Sequence, residues 1–258
     1  MIEEIPNYEI HEFRPRSTKY CFCVVTLNEG DRLTHQLQRM KPLASLADIV
    51  VCDGRSKDGS TDPDSLKQMG VRTLLNTDER GLGTAIRMAL AYAMKENYEG
   101  IITVDANGKD GVEALPRFME GLDQGWDLVQ GSRFIKGGTH KNTPWDRYIG
   151  IRFMMAPAMA LGSGFWYTDP TNGFRAMSMK FLKDPRVQPL RNIFVGFNMQ
   201  DYFIYRAAKL GFRVKEIPVD RRYPDDGSVP TKIHGLKAKI LDLWAMVSTA
   251  LGRYNPKS

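Results

Sequence analysis

The chain has 258 residues, 42% of them hydrophobic, and a formal net charge of +6, which suits one large α/β domain or two small ones with a real core. No window reaches the apolar length of a membrane span, and the start MIEEIPNYEI is too acidic for a signal peptide, so a cytoplasmic location is expected. The three cysteines, Cys21, Cys23 and Cys52, lie in strand-like runs without a matching Cys/His pair, which argues against a zinc site and for small buried hydrophobes in a reducing compartment.

Residues 1–19 are polar and without a clear period, and read as an N-terminal arm. YCFCVVTL (20–27) is a short apolar run, hence a buried strand. Asn28-Glu29-Gly30 ends it, and DRLTHQLQRMKPL carries helical spacing up to Pro42. ADIVVCD (47–53) is the next strand, followed by the Gly-, Ser- and Asp-rich loop DGRSKDGST. A short helix over 62–69 precedes the strand VRTLL (71–75). GLGTAIRMALAYAMKEN (81–97) predicts a strong helix, IITVD (101–105) a fourth strand, 111–124 a helix and WDLVQGSR (126–133) a fifth strand. The pattern then changes. FIKGGTHKNTPW is a basic loop, and IGIRFMMAPAMALGSGFWY predicts an apolar helix kinked at Pro157. TDPTNGFRAMS leads from a loop into a strand, 196–211 is a helix ended by Gly211, and FRVKEIPV (212–219) is a strand. After the polar loop DRRYPDDGSVPTKIHG, Ile233, Leu236, Ile240, Leu243, Trp244, Val247 and Leu251 mark one face of a last amphipathic helix.

Strands alternating with helices predict a mostly parallel sheet covered on both faces, a Rossmann-like α/β fold. Ligands of such sheets bind beyond the carboxyl ends of the strands. Asn28 and Glu29 follow the first strand, Asp53 the second and Asp105 the fourth, so the candidate residues share that edge. Charge is also divided. Residues 1–130 carry 15 Lys+Arg against 21 Asp+Glu, and residues 131–258 carry 21 against 9. An acidic half that holds a cation and a basic half that meets an anion is one reading, and ordinary solvated surface is the other. The stretch VDANGKD (104–110) leaves the same choice: a metal-binding pair of oxygen ligands, or an Asn-Gly turn after a strand.

TLNE (26–29), DGRSKDGST (53–61), GLGTAIRMAL (81–90), VDAN (104–107), GSRF (131–134), DPTNGFRAMS (169–178) and RAAKLGFRVKEIPV (206–219) occur in that order. Together they resemble an inverting family 2 glycosyltransferase of the GT-A fold, in the branch of dolichol-phosphate mannose synthase-like enzymes. The resemblance covers roughly residues 20–235. It implies three parts: an arm (1–19), a GT-A domain (20–235) and a C-terminal amphipathic helix (236–258). It also implies a nucleotide-sugar donor, GDP- or UDP-linked, and a polyprenyl or dolichyl phosphate as candidate acceptor.

The resemblance assigns roles residue by residue. Thr26, Asn28, Glu29 and Asp53 would hold the donor nucleotide, helped by Asp58, Gly83, Asp105 and Ala106. For Asp58 the alternative of plain turn chemistry stays open. Asp105 and Asn107 match the metal-binding pair for Mg²⁺ or Mn²⁺, with weaker affinity expected because Asn brings no charge. Asp110 is a further candidate ligand. Asp201 stands where related enzymes carry a catalytic base, a role that matters only if the acceptor is a hydroxyl, because a phosphate is already an anion. Arg133, Arg175, Arg221 and Lys232 would bind acceptor or donor phosphates, which the guanidinium fork suits well. The last helix, with Trp244 between Lys237, Lys239 and Arg253, either packs on the core or docks peripherally on an anionic membrane face. Two other functions compete: a nucleotidyltransferase making the nucleotide sugar, and a non-catalytic nucleotide-sugar or lipid-phosphate binder. Nucleic acid is not an expected partner.

Overall fold

The structure is a computed structural model that describes residues 3–230 and 235–256. The strands are β1 (Glu9–Glu12), β2 (Tyr20–Thr26), β3 (Asp48–Asp53), β4 (Val71–Asn76), β5 (Gly100–Asp105), β6 (Leu128–Ser132), β7 (Thr139–Lys141), β8 (Arg175–Ser178), β9 (Val214–Pro218) and β10 (Asp220–Arg222). The helices are α1 (Asp31–Met40), α2 (Pro63–Gln68), α3 (Leu82–Lys95), α4 (Leu115–Asp123), α5 (Trp145–Ile149), α6 (Ala156–Ser163), α7 (Met179–Leu182), α8 (Asn198–Lys209) and α9 (Gly235–Ala250). Among the described residues an eight-stranded sheet runs β1-β4-β3-β2-β5-β8-β6-β9, and β7 and β10 form a separate pair.

The sheet is mostly parallel, as the alternation predicts. β4, β3, β2 and β5 run parallel, with a register shift between Ile49 and Val50 in the β3–β4 ladder, and β6 and β9 run parallel at the far side. β8 is inserted antiparallel between β5 and β6. Alternate residues of β2 feed the two layers of the core, because successive side chains of a strand point to opposite faces. Cys21 and Cys23 face the layer that holds α3 and α8, with Met88, Tyr92, Met199 and Phe203. Phe22 and Val24 face the layer that holds α1 and α4, with Leu33, Leu37 and Phe118. The cysteines are free and buried, as expected of small hydrophobes.

Three details differ from the sequence reading. The arm contributes β1, antiparallel to β4 along the sheet edge. All four of its residues are exposed, so it leaves no hydrophobic period to read. The apolar segment before residue 165 bends through π-helical turns at Gly150–Met155, and Pro157 sits in the first turn of α6, where its missing N–H is tolerated. The last helix turns much of its expected core face outward. Ile240, Trp244 and Leu251 are exposed, while Met246 and Thr249 are buried against α6 and α8. Ile233 and the side chain of Leu236 lie outside the described residues.

Candidate active site

A cleft of about 1340 Å³ opens beyond the carboxyl ends of β2 and β5, and the start of α8 and one side of α9 close its far wall. Thr26, Glu29, Asp105, Ala106 and Asn107 line it on the sheet side. Arg133, Asp201 and Arg221 line it from the other elements. These eight expected site residues are therefore brought together around one space.

The turn after β5 is held from α1. Gln36 donates its amide to the Asp105 carbonyl at 2.9 Å and accepts from the Gly108 N–H at 2.9 Å. The Asn107 amide donates to Asp105 Oδ2 at 3.3 Å, and its oxygen accepts from the Lys109 N–H at 3.2 Å. The stretch is thus a turn and also a cleft wall. Glu29 is paired with Arg32 at 2.9 Å. Thr26 Oγ1 is buried with no partner among the described residues.

Other expected residues take structural roles. Asp53 is buried and saturated, accepting from the Ser56 N–H and hydroxyl and from the Thr61 hydroxyl. Asn28, at φ 51, ties the first loop to the second, accepting from the Lys57 N–H. Asp58 caps the same junction, taking the Gly30 and Ser60 N–H groups. None of the three lines the cleft, and Gly54 does so instead. Gly83 lies behind the wall. Its N–H donates to the Val195 carbonyl, and a Cβ there would sit 2.6 Å from the Phe194 oxygen, so it is a packing glycine. Arg175 is fully buried beneath the floor, where its guanidinium donates to the Gln200 and Asn172 carbonyls. It positions the start of α8 and does not present itself to a phosphate. Asp110 pairs through Oδ1 with Arg221 at 2.6 Å, its Oδ2 is buried without a partner among the described residues, and it is not among the residues that line the cleft. Lys232 lies outside the described residues.

The two remaining arginines are aimed. Arg133 forks onto Asp169 at 2.7 and 3.0 Å, and its third nitrogen, Nη1, is buried with no partner among the described residues. Arg221 donates to Asp110 and to Asn172, leaving Nε unpartnered. Buried polar atoms without partners are rare in native folds, so several around one cleft mark a place for a polar ligand.

The sequence reading missed Lys109, Arg147, Tyr223 and Asp242, all on the cleft wall. Burial alone would raise the Tyr223 phenol, but Arg221, Arg133, Lys109 and Arg147 outweigh it and bring it down to about 7. Asp201 shows the opposite sign. Burial and the nearby Asp242 carboxylate push it well above the usual carboxylate range, and Arg175 only partly opposes them. One end of the cleft is thus strongly cationic, and the other holds a raised carboxyl whose Oδ2 has no partner among the described residues. Basic residues in the loop 221–232 did hint at the cationic end, but the convergence of 109, 147 and 223 exists only in the fold.

The sequence profile of Glycosyl transferase family 2 matches residues 21–206. The chain belongs to this family. The family 2 chain is 30% identical over 200 residues to the undecaprenyl-phosphate mannosyltransferase of Micrococcus luteus, covering 76% of this chain and 80% of that one. It is 28% identical over 205 residues to the polyprenol monophosphomannose synthase of Mycolicibacterium smegmatis, covering 76% and 74%. In fold it is similar to glucosyl-3-phosphoglycerate synthase of Mycobacterium tuberculosis, crystallised with Mn²⁺, UDP and glucosyl-3-phosphoglycerate, at a TM-score of 0.65 and 15% identity over 93% of this chain and 81% of that one. The GT-A fold expected of the chain is therefore the fold it has.

Proposed function

We propose that this glycosyltransferase moves a sugar from a nucleoside-diphosphate donor to the phosphate of a polyprenyl lipid. The observation that carries the reading is the cationic end of the cleft, where Arg133, Arg147, Lys109 and Arg221 converge on Tyr223. Such a cluster fits two anionic groups, the donor's diphosphate beside Lys109 and Arg221 and the acceptor's phosphate beside Arg133 and Arg147. The names of the Micrococcus and Mycolicibacterium relatives point to the same lipid class.

The reaction forms a bond from an acceptor phosphate oxygen to the anomeric carbon and breaks the bond from that carbon to the donor's β-phosphate oxygen. The electron pair leaves with the nucleoside diphosphate. A phosphate monoester, with a second pKa near ~6, is already ionised at neutral pH and needs no base. Asp201, whose carboxyl burial raises above the usual carboxylate range, is then not needed as a base. Its role in this reading is to hydrogen-bond the sugar. Arg133 and Arg147 orient the acceptor phosphate, and Thr26, Glu29 and Ala106 border the donor nucleotide. Among the described residues no three His, Cys, Asp or Glu side chains form a metal cage. Asp105 and Asn107 still offer two hard oxygens, which fits Mg²⁺ or Mn²⁺ when substrate phosphates complete the shell. An ion held there would offset charge on the departing diphosphate.

No helix among the described residues is long and apolar enough to cross a membrane. Peripheral docking is supported by exposed apolar side chains beside the cleft: Trp145 and Phe153 on the α5–α6 segment, Leu241 and Trp244 on α9. The C-terminal ends of α6 and α9 meet at Gly162, where a Cβ would sit 2.5 Å from the Ala250 oxygen.

The test is transfer of labelled sugar from a panel of GDP- and UDP-sugars to polyprenyl phosphate in vesicles. Labelled lipid from one donor, lost in Arg147→Ala through a raised acceptor KM, is expected. Glycosylation of a soluble acceptor with none of the lipid phosphate would overturn the reading.

A further inference from the structure

We propose that Lys109 is a resident cation of the diphosphate subsite, so that a nucleoside diphosphate binds this cleft without a divalent ion. The inference rests on the donor reading given above. Three observations carry it, beginning with position. Lys109 stands two residues beyond Asn107 on the same strand-end turn, in the site where Asp105 is the lone carboxylate of the pair and Asn107 brings no charge. A metal held there would meet half the anionic charge of a two-carboxylate site, and it would meet an ammonium as well.

The second observation is how the charge is buried. Lys109 is 5% exposed and lines the cleft. Its Nζ donates to the Pro230 carbonyl at 2.5 Å and lies 5.1 Å from the centre of the Tyr223 ring. No carboxylate of the described residues stands within ion-pair distance of it. Arg133 and Arg221 on the same wall are each matched by a buried carboxylate, Asp169 and Asp110. Burying an ammonium with no carboxylate in contact is unfavourable, and an arriving anion removes the deficit. The ammonium has three donors, and one goes to Pro230.

The third observation is convergence. Arg221 Nε is buried on the same wall and has no partner among the described residues. Fixed donors and an ammonium with no carboxylate in contact are what a pyrophosphate takes from a protein when no metal brings the charge. A divalent ion would then add affinity to a subsite that already binds.

A merely structural lysine, pinning the loop at Pro230, predicts something different, and calorimetric titration of UDP and of GDP separates the two. Wild type in EDTA should bind at least one of them. Lys109→Met should lose about 10-fold or more of that affinity in EDTA, the size of a charge-assisted hydrogen bond. In saturating Mn²⁺ the loss should be several-fold smaller, and Lys109→Arg should recover most of the EDTA affinity. Equal losses with and without Mn²⁺, or wild-type binding that appears only with Mn²⁺, would overturn the proposal. Binding of neither nucleotide in Mn²⁺ would remove the donor reading together with it.

Discussion

Replacing Asn107 with Asp tests the wall after β5 most directly. In the structure the Asn107 amide donates to Asp105 Oδ2 at 3.3 Å. The substitution turns that donor into a second carboxylate at the same separation. Two unit charges 3.3 Å apart repel by about 5 kcal/mol at an effective dielectric of ~20 and by about 1 kcal/mol in bulk water. Both side chains are half-buried, so about 2 kcal/mol is a reasonable working value. For a chain of this size that lowers the metal-free Tm by roughly 4–8 °C. A divalent ion between the carboxylates relieves the repulsion, so Mn²⁺ affinity should rise about 10- to 100-fold. The pH dependence has a definite sign. Repulsion raises the folded-state pKa of the pair above its unfolded value, so the deficit vanishes below the usual carboxylate range and grows as pH rises through the raised value. Differential scanning fluorimetry from pH 4 to 8, with EDTA and with Mn²⁺, reads all three effects. A variant with unchanged metal-free Tm and unchanged Mn²⁺ affinity would show that position 107 does not face a shared site with Asp105.

Three other substitutions check the assignments around it. Gly83→Ala should cost about 1–3 kcal/mol in urea unfolding, because its Cβ would meet the Phe194 backbone at 2.6 Å; an unchanged midpoint would refute the packing role. Arg133→Ala should cost about 3–5 kcal/mol by leaving the buried Asp169 carboxylate unpaired, and a loss under 1 kcal/mol would mean that the fork is dispensable. Asp201→Asn should change the pH profile of stability. The Asp201 carboxyl is raised in the folded state, so the stability linked to it is full below the usual carboxylate range and is lost as pH rises through the raised value. The Asn variant should therefore gain on wild type as pH rises above the usual carboxylate range in urea unfolding, and parallel profiles would contradict a raised buried acid.

Much of the fold is legible because strand and helix periods in this chain are strong. The runs at 20–27, 47–53 and 101–105 place β2, β3 and β5 within a residue or two, and with them the edge where Asp105 stands. β1 is not legible, since an exposed edge strand is held by backbone bonds that carry no side-chain pattern. The face of α9 is misread for a related reason. Its apolar residues wind around much of the helix, so periodicity cannot say which of them the core takes. In the site, a strand-end acid marks a place and not a partner. Asp53 and Asp105 look alike in sequence, yet Asp53 is saturated by Ser56 and Thr61 from its own loop, while Asp105 opens on the cleft. Arg175 and Arg221 likewise differ only in what the fold sets against them, carbonyls for one and a buried carboxylate for the other.

The first residues of the described chain act on the cleft from outside it. The Glu4 N–H donates to the Leu190 carbonyl, and its carboxylate accepts from the Asn192 N–H at 2.7 Å. Arg87 of α3 rivets the same junction, donating to the Glu4 carbonyl and to the Phe194 carbonyl. Val195 and Gly196, the next residues of that loop, are cleft wall. The N-terminal segment is thus a guy-line on the active-site rim. Slackening it, by removing residues 1–6 or by Arg87→Met, should first raise the KM for the nucleotide sugar, with kcat nearly preserved. Steady-state kinetics would show this, and an unchanged KM would mean that the line bears no tension.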